Sequence, residues 1–287
     1  IEKATVTVRP DESSLTKGYG EADPIMTYRA VGLIGGDTLS GHLSRQTGED
    51  AGTYPVNVGA LTAGDNYEVV LAEGTWEFTI TPRPIRVQIG GAVGSYGDQP
   101  VLTGVELTLE EGSMGFQDRL DTLPGITLTA RTSQEGDEAV TGSTDVGNYF
   151  LVGAEENANY EITFDPGTYN VQPRAITITL TNLEITYGET LKPLGYTSRL
   201  TTGTGAGIVN DDDQPGGGLT ITTGFQDGTV PEDQGTYPIT AQYSGEKEKN
   251  YTITIEGGTY TIRPAGLKAA FDRQTEYATV GDTLPRP

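Results

Sequence analysis

Three prolines, Pro82, Pro173 and Pro264, stand 91 residues apart, and each closes a near-copy of the same segment. The copies run from Gly74-Thr75-Trp76 to Ile80-Thr81-Pro82, from Gly167-Thr168-Tyr169 to Val171-Gln172-Pro173, and from Gly258-Thr259-Tyr260 to Ile262-Arg263-Pro264. A fixed period of this size makes the chain an array of one small domain rather than a single large fold. Upstream of each segment an Asn-Tyr pair opens an apolar/polar alternation: Asn66-Tyr67-Glu68-Val69, Asn159-Tyr160-Glu161-Ile162 and Asn250-Tyr251-Thr252-Ile253. Alternation at period two is the mark of a half-buried strand.

Further upstream every copy carries Asp-x-Gly-x-Tyr, as Asp50, Gly52 and Tyr54, then Asp145, Gly147 and Tyr149, then Asp233, Gly235 and Tyr237. An apolar residue follows two places on, at Val56, Leu151 and Ile239. This is the pattern of a tyrosine corner, in which the ring opens a late strand of an immunoglobulin-type sandwich and its hydroxyl bonds to upstream backbone. Near each start lies Tyr19-Gly20-Glu21, Tyr96-Gly97-Asp98 or Tyr187-Gly188-Glu189, a turn after the first strand. The last three strands of each copy read as a meander joined by turns such as Asp165-Pro166-Gly167, with Trp76 in the slot of Tyr169 and Tyr260. The middle diverges: the stretch from Gly20 to Gly52 is short, and its counterparts, Gly97 to Gly147 and Gly188 to Gly235, carry insertions.

The fold expected is all-β, a row of immunoglobulin-like sandwiches forming an elongated rod. Residues 1–83, 84–173 and 174–264 are three repeats, and 265–287 repeat a unit's first strands, the start of a fourth. The junctions Pro82-Arg83-Pro84 and Pro173-Arg174-Ala175 contain no Gly/Ser linker, and proline fixes φ, so the joints are expected to be semi-rigid.

The first copy resembles the mostly-bacterial immunoglobulin-like repeats known as MBG domains. The resemblance rests on Lys17-Gly18-Tyr19-Gly20-Glu21-Ala22-Asp23-Pro24, on the stretch Gly32-Leu33-Ile34-Gly35-Gly36-Asp37-Thr38-Leu39-Ser40-Gly41, and on Ala51-Gly52-Thr53-Tyr54-Pro55-Val56. The other copies match at both ends, while their middle element is missing or altered. The resemblance implies large, secreted or wall-anchored bacterial surface proteins, often adhesin-like, and no catalytic residues.

Acidic residues outnumber basic ones 40 to 18, a net charge of −22 that repels phosphates and anionic headgroups and argues against nucleic-acid binding. The chain has no cysteine, which removes disulfides, thiolate metal sites and thiol nucleophiles. No apolar run is long enough to span a membrane, and Ile1 opens no signal peptide, so the chain reads as the middle of a longer protein, for which the resemblance implies export to the cell surface or wall.

Chemistry finds little purchase. His42, the single histidine, stands in Ser40-Gly41-His42-Leu43-Ser44, an alternating stretch of the first copy alone. Gly203-Thr204-Gly205-Ala206-Gly207 has no helix after it and fails as a dinucleotide loop. Asp211, Asp212 and Asp213 form the most calcium-like run, yet Pro215 and Thr222 occupy positions where an EF-hand needs ligands. No enzyme activity and no cofactor are therefore expected. The reading is a monomeric spacer in a surface protein, the alternative being that a host or matrix protein or a glycan binds through the insertions 110–121 or 201–218.

Overall fold

The alternating segments all become strands. In the computed structural model, which describes residues 2–212, 218–225 and 233–267, strands fall into three sets of seven. The first set is β1 (Ala4–Pro10), β2 (Thr16–Gly18), β3 (Tyr28–Val31), β4 (Ser44–Arg45), β5 (Gly52–Asn57), β6 (Tyr67–Leu71) and β7 (Glu77–Thr81). The second is β8 (Arg83–Ile89), β9 (Ala92–Ser95), β10 (Leu107–Glu111), β11 (Ile126–Arg131), β12 (Gly147–Glu155), β13 (Tyr160–Asp165) and β14 (Gly167–Gln172). The third is β15 (Arg174–Leu180), β16 (Leu183–Thr186), β17 (Tyr196–Leu200), β18 (Leu219–Thr223), β19 (Gly235–Tyr243), β20 (Tyr251–Glu256) and β21 (Gly258–Arg263). The chain divides into two compact units, residues 1–173 holding the first two sets and 174–287 the third.

Each set folds the same way. A three-stranded sheet places the first strand between the third and the sixth, as in β3-β1-β6, and a four-stranded sheet runs second, seventh, fifth, fourth, as in β2-β7-β5-β4. The sixth strand lies parallel to the first and the seventh parallel to the second, while the fifth and seventh are antiparallel. The expected meander is therefore corrected, because the sixth strand leaves its sequence neighbours for the opposite sheet. In the second set the change is made at Pro166, the one residue between β13 and β14. A tight turn can close a hairpin or turn a corner between sheets, and the first strand's row of apolar side chains decides for the corner. Gly167 marks the spot, since a side chain there would collide with the backbone of Ile89 and Gly90.

Between the sheets lie the inward residues of the first strand (Val6 and Val8; Val87 and Ile89; Ile176 and Ile178) against those of the fifth and seventh. Val56, Leu151 and Ile239 are all buried. Each such aliphatic side chain is worth about 1.5–3 kcal/mol of burial, which is how a short sandwich without disulfides holds together. The register also corrects the aromatic slot: Tyr54 faces Phe78, as Tyr149 faces Tyr169 and Tyr237 faces Tyr260. Phe78 is the buried equivalent, and Trp76 sits outside it with its indole N–H on the Ala72 carbonyl at 2.9 Å.

Candidate functional site

The recurrent motifs resolve into two kinds of contact, those that close a repeat and those that join one repeat to the next. The tyrosine corners are of the first kind. Tyr54, Tyr149 and Tyr237 donate their hydroxyls to the carbonyls of Asp50, Asp145 and Asp233 at 2.7, 2.7 and 3.0 Å.

A second closing contact was not visible in the sequence. The tyrosine of each Asn-Tyr pair reaches a turn in the middle of its repeat: Ile34–Asp37, Gly115–Asp118 or Val209–Asp212. Each turn is closed by the aspartate N–H on the first residue's carbonyl, at 3.1, 3.0 and 3.1 Å. The first residue's N–H donates to the hydroxyl of Tyr67, Tyr160 or Tyr251, at 3.2, 2.8 and 3.1 Å. That hydroxyl donates in turn to the carboxylate of Asp37, Asp118 or Asp212, at 2.7, 2.7 and 2.6 Å. The middle element is thus present in every copy, written differently. The turns demand left-handed backbone, supplied by Gly35 and Gly36, by Phe116, and by Asn210 with Asp211. The signal was a glycine five or six residues before an aspartate: Gly32 to Asp37, Gly112 to Asp118, Gly207 to Asp212.

This geometry places the calcium candidates. Asp212 is buried with its carboxylate on the Tyr251 hydroxyl, and its carbonyl accepts the Tyr243 hydroxyl at 3.2 Å. Asp211 serves the turn, and Asp213 lies outside the described residues. Among the described residues no three metal-ligating side chains converge.

In the first unit the motifs of two successive repeats meet. Tyr19, from the Tyr-Gly turn of the first repeat, donates its hydroxyl to the same Asp118 oxygen that Tyr160 uses, at 2.9 Å. Its ring stands edge-on to Phe116 and Tyr160, with centroids 5.2 and 5.3 Å away. Burial and the Asp118 carboxylate push both phenols, Tyr19 and Tyr160, up to about 12. Arg83 at the junction spans the joint, one guanidinium nitrogen on the Tyr19 carbonyl at 2.8 Å and the other on Ser113 Oγ at 2.7 Å. Beside it the Asn159 amide donates to the Asp50 carboxylate at 3.0 Å and accepts the Ala51 N–H at 2.7 Å. The buried core is continuous through this joint, from Val6 and Phe78 to Val87 and Tyr160.

The insertion 110–121 is what makes the joint, through Ser113, Gly115, Phe116 and Asp118. Gly115 is required by the approach: a side chain there would come within 2.9 Å of the Tyr19 ring. Phe116 holds φ 47°, a conformation that costs a bulky residue about 1–2 kcal/mol and that the ring contact with Tyr19 offsets. In the described part of the other insertion, 201–218, the carbonyls of Ala206 and Gly207 take the Arg174 guanidinium at 3.0 Å each.

One charged cluster lies apart, in the first repeat. Lys17 Nζ sits 2.7 Å from Asp23 and 2.6 Å from Glu49, and Arg45 bridges the same two carboxylates at 2.7 and 3.0 Å beneath a cleft of about 370 Å³ that His42 and Glu49 help to line. The Arg45 hydrogen bonds hold the Asp23 carboxyl at about 2. Burial lowers Lys17, but Asp23 and Glu49 outweigh it and keep the ammonium protonated. Within this cluster two cations pair with two anions.

The model of the MBG domain, YGX type, matches residues 5–79 and 176–261, more than half of the chain, and the chain belongs to that family. The second repeat escapes the match and yet has the same strand order. No curated protein matches. Among solved structures the crystal structure of Drosophila N-cadherin EC1-4 is similar at 8% identity, with a TM-score of 0.28 over 93% of this chain and 76% of that one.

Proposed function

We propose that the chain is a non-catalytic spacer array, a stalk segment of a secreted or wall-anchored bacterial surface protein of adhesin-like build. The observation that supports this most is the joint in the first unit. Motif residues that could have formed a ligand platform, Tyr19, Asp118, Asn159 and Tyr160, are engaged in holding one repeat to its neighbour. The net charge of −22 keeps such a surface hydrated and self-repelling.

Two measurements test the reading. Brief trypsin treatment of intact cells expressing the parent protein is expected to release peptides of this chain, and their recovery only after lysis would overturn the surface location. Solid-phase binding of the whole chain to a panel of matrix proteins and glycans is expected to be negative. Saturable binding lost when the 201–218 insertion is shortened would replace the spacer reading with direct recognition.

A further inference from the structure

We propose that each repeat bears tension along the chain, its first and last strands gripping each other through one parallel ladder that a pull on the two ends loads in shear. The spacer reading supplies only the source of the load, and the resistance itself belongs to the strand pairing.

The ladder is continuous across both sheets. In the third repeat Arg174 to Thr179 run parallel to Tyr251 to Glu256 in one sheet, and Leu183 to Thr186 run parallel to Tyr260 to Arg263 in the other. Partners stand 77 residues apart in both sheets. The second repeat keeps the same 77, from Arg83 opposite Tyr160 to Ser95 opposite Gln172. The first keeps 63, from Ala4 opposite Tyr67 to Gly18 opposite Thr81. A slip of one residue at the change of sheet would reverse the facing of everything beyond it. The unbroken spacing therefore makes each repeat's two terminal segments a pair of long strands that cross from sheet to sheet side by side. The Tyr187 N–H on the Arg263 carbonyl and the Tyr96 N–H on the Gln172 carbonyl, at 2.8 and 2.9 Å, extend the ladder past its last paired residues.

Parallel pairing sets the start of the first strand and the end of the last at opposite ends of this ladder. Tension on the two ends slides one strand along the other, and the evenly spaced bonds strain together. Antiparallel partners would be pulled from one end of their ladder and would part bond by bond. Side chains brace the same pair of strands. Glu184 takes the Arg263 guanidinium at 2.8 Å and Glu256 the Thr179 hydroxyl at 2.7 Å, while Asp165 takes Arg86 through two bonds of 2.7 and 2.8 Å. In the first unit only Pro82 separates the end of β7 from the start of β8, so the load passes directly from one ladder to the next. The insertions 110–121 and 201–218 connect third strands to fourth, off the ladder, and their lengths vary without lengthening the loaded path.

The chain has no cysteine, so a pair of introduced cysteines fixes the points of pull. Optical-tweezers measurements on the full chain held at Gln172→Cys and Ala265→Cys load the third repeat along its ladder. Gln172→Cys with Glu246→Cys pulls instead from the one end where β15 and β20 both begin. All three side chains are exposed. At equal loading rate the first pair is expected to need at least about threefold the force of the second, because the ladder shares the load. Each rupture is expected to release up to about 3.6 Å per residue between the anchors, which assigns it to the third repeat. Urea unfolding of the two substituted chains, read by far-ultraviolet circular dichroism, is expected to give one midpoint, since forced unfolding follows the barrier along the pull and not the equilibrium. The measurement assumes nothing about location, so its failure and that of the spacer reading are told apart. Equal forces in the two directions would overturn the proposal, as would a difference in force matched by a difference in urea midpoint.

Discussion

Tyr19 and Tyr187 occupy the same place in the same turn, with the same backbone bonds, and differ in what lies over them. Tyr19 is enclosed by Phe116, Tyr160 and Asp118 of the following repeat, whereas Tyr187 stands half exposed. A residue that recurs with the fold is ordinarily taken as part of the core. This pair teaches otherwise: the Tyr-Gly turn is complete without its tyrosine ring, and the Tyr19 ring is buried by the aspartate turn of the following repeat.

The comparison breaks most visibly by truncation. Tyr19→Ala is expected to cost about 3–5 kcal/mol of the first unit's stability, while Tyr187→Ala stays within about 0.5 kcal/mol. Urea unfolding followed by the single tryptophan, Trp76 in the first unit, reads the Tyr19 variant, and far-ultraviolet circular dichroism of the whole chain reads the Tyr187 variant in the second unit. Equal effects would mean that Tyr19 is not held by the joint.

Removing the acceptor comes next. Asp118→Ala strands two tyrosine hydroxyls and is expected to cost about 3 kcal/mol, against about 1.5 kcal/mol for Asp37→Ala, which strands one. Gly188→Ala should carry only the left-handed penalty of about 1 kcal/mol. Gly20→Ala should lose about 2 kcal/mol more, because its new side chain would stand 2.6 Å from the Gly115 backbone.

Titration gives the finest readings. Tyr19 and Tyr160 hold their protons to about 12 in the folded state, above the 10.0 of a free phenol. Their contribution is therefore complete below pH 10 and is lost as pH rises toward 12. Absorbance at an alkaline-sensitive wavelength should show Tyr19 and Tyr160 among the phenols that ionise late, beside the raised Tyr67 and Tyr169, and Tyr19→Phe should remove one late step. At the other end, Asp23 is held at about 2 against 3.8, so the Lys17–Arg45 cluster stabilises above pH 4 and weakens as pH falls toward 2. Because Asp23 is partly exposed, the expected effect is a small fall in the Trp76-reported midpoint, absent in Arg45→Gln.

Much of the fold was legible because it is local. The alternation after Tyr67, Tyr160 and Tyr251 fixes strands and their inward faces, and Asp-x-Gly-x-Tyr places a hydroxyl four residues from the carbonyl it reaches. What was illegible is non-local. Pro166-Gly167 makes a corner instead of a hairpin because of β8, most of a repeat away in sequence. Trp76 looked like the partner of Tyr169 until the register put Phe78 opposite Tyr54. The insertion 110–121 looked like a binding loop because nothing in its residues says that Gly115 exists to admit Tyr19.

The sequence by itself determined the number of repeats, the class of their fold and the residues that face each core, since periodicity and turn chemistry act over a few residues. Only the tertiary structure decided which aspartate each Asn-Tyr pair grips, and that the tyrosine of a Tyr-Gly turn belongs to the next repeat as much as to its own. Those pairings bring together groups 30 to 42 residues apart within a repeat and 99 residues apart across the joint, where Tyr19 reaches Asp118 at 2.9 Å.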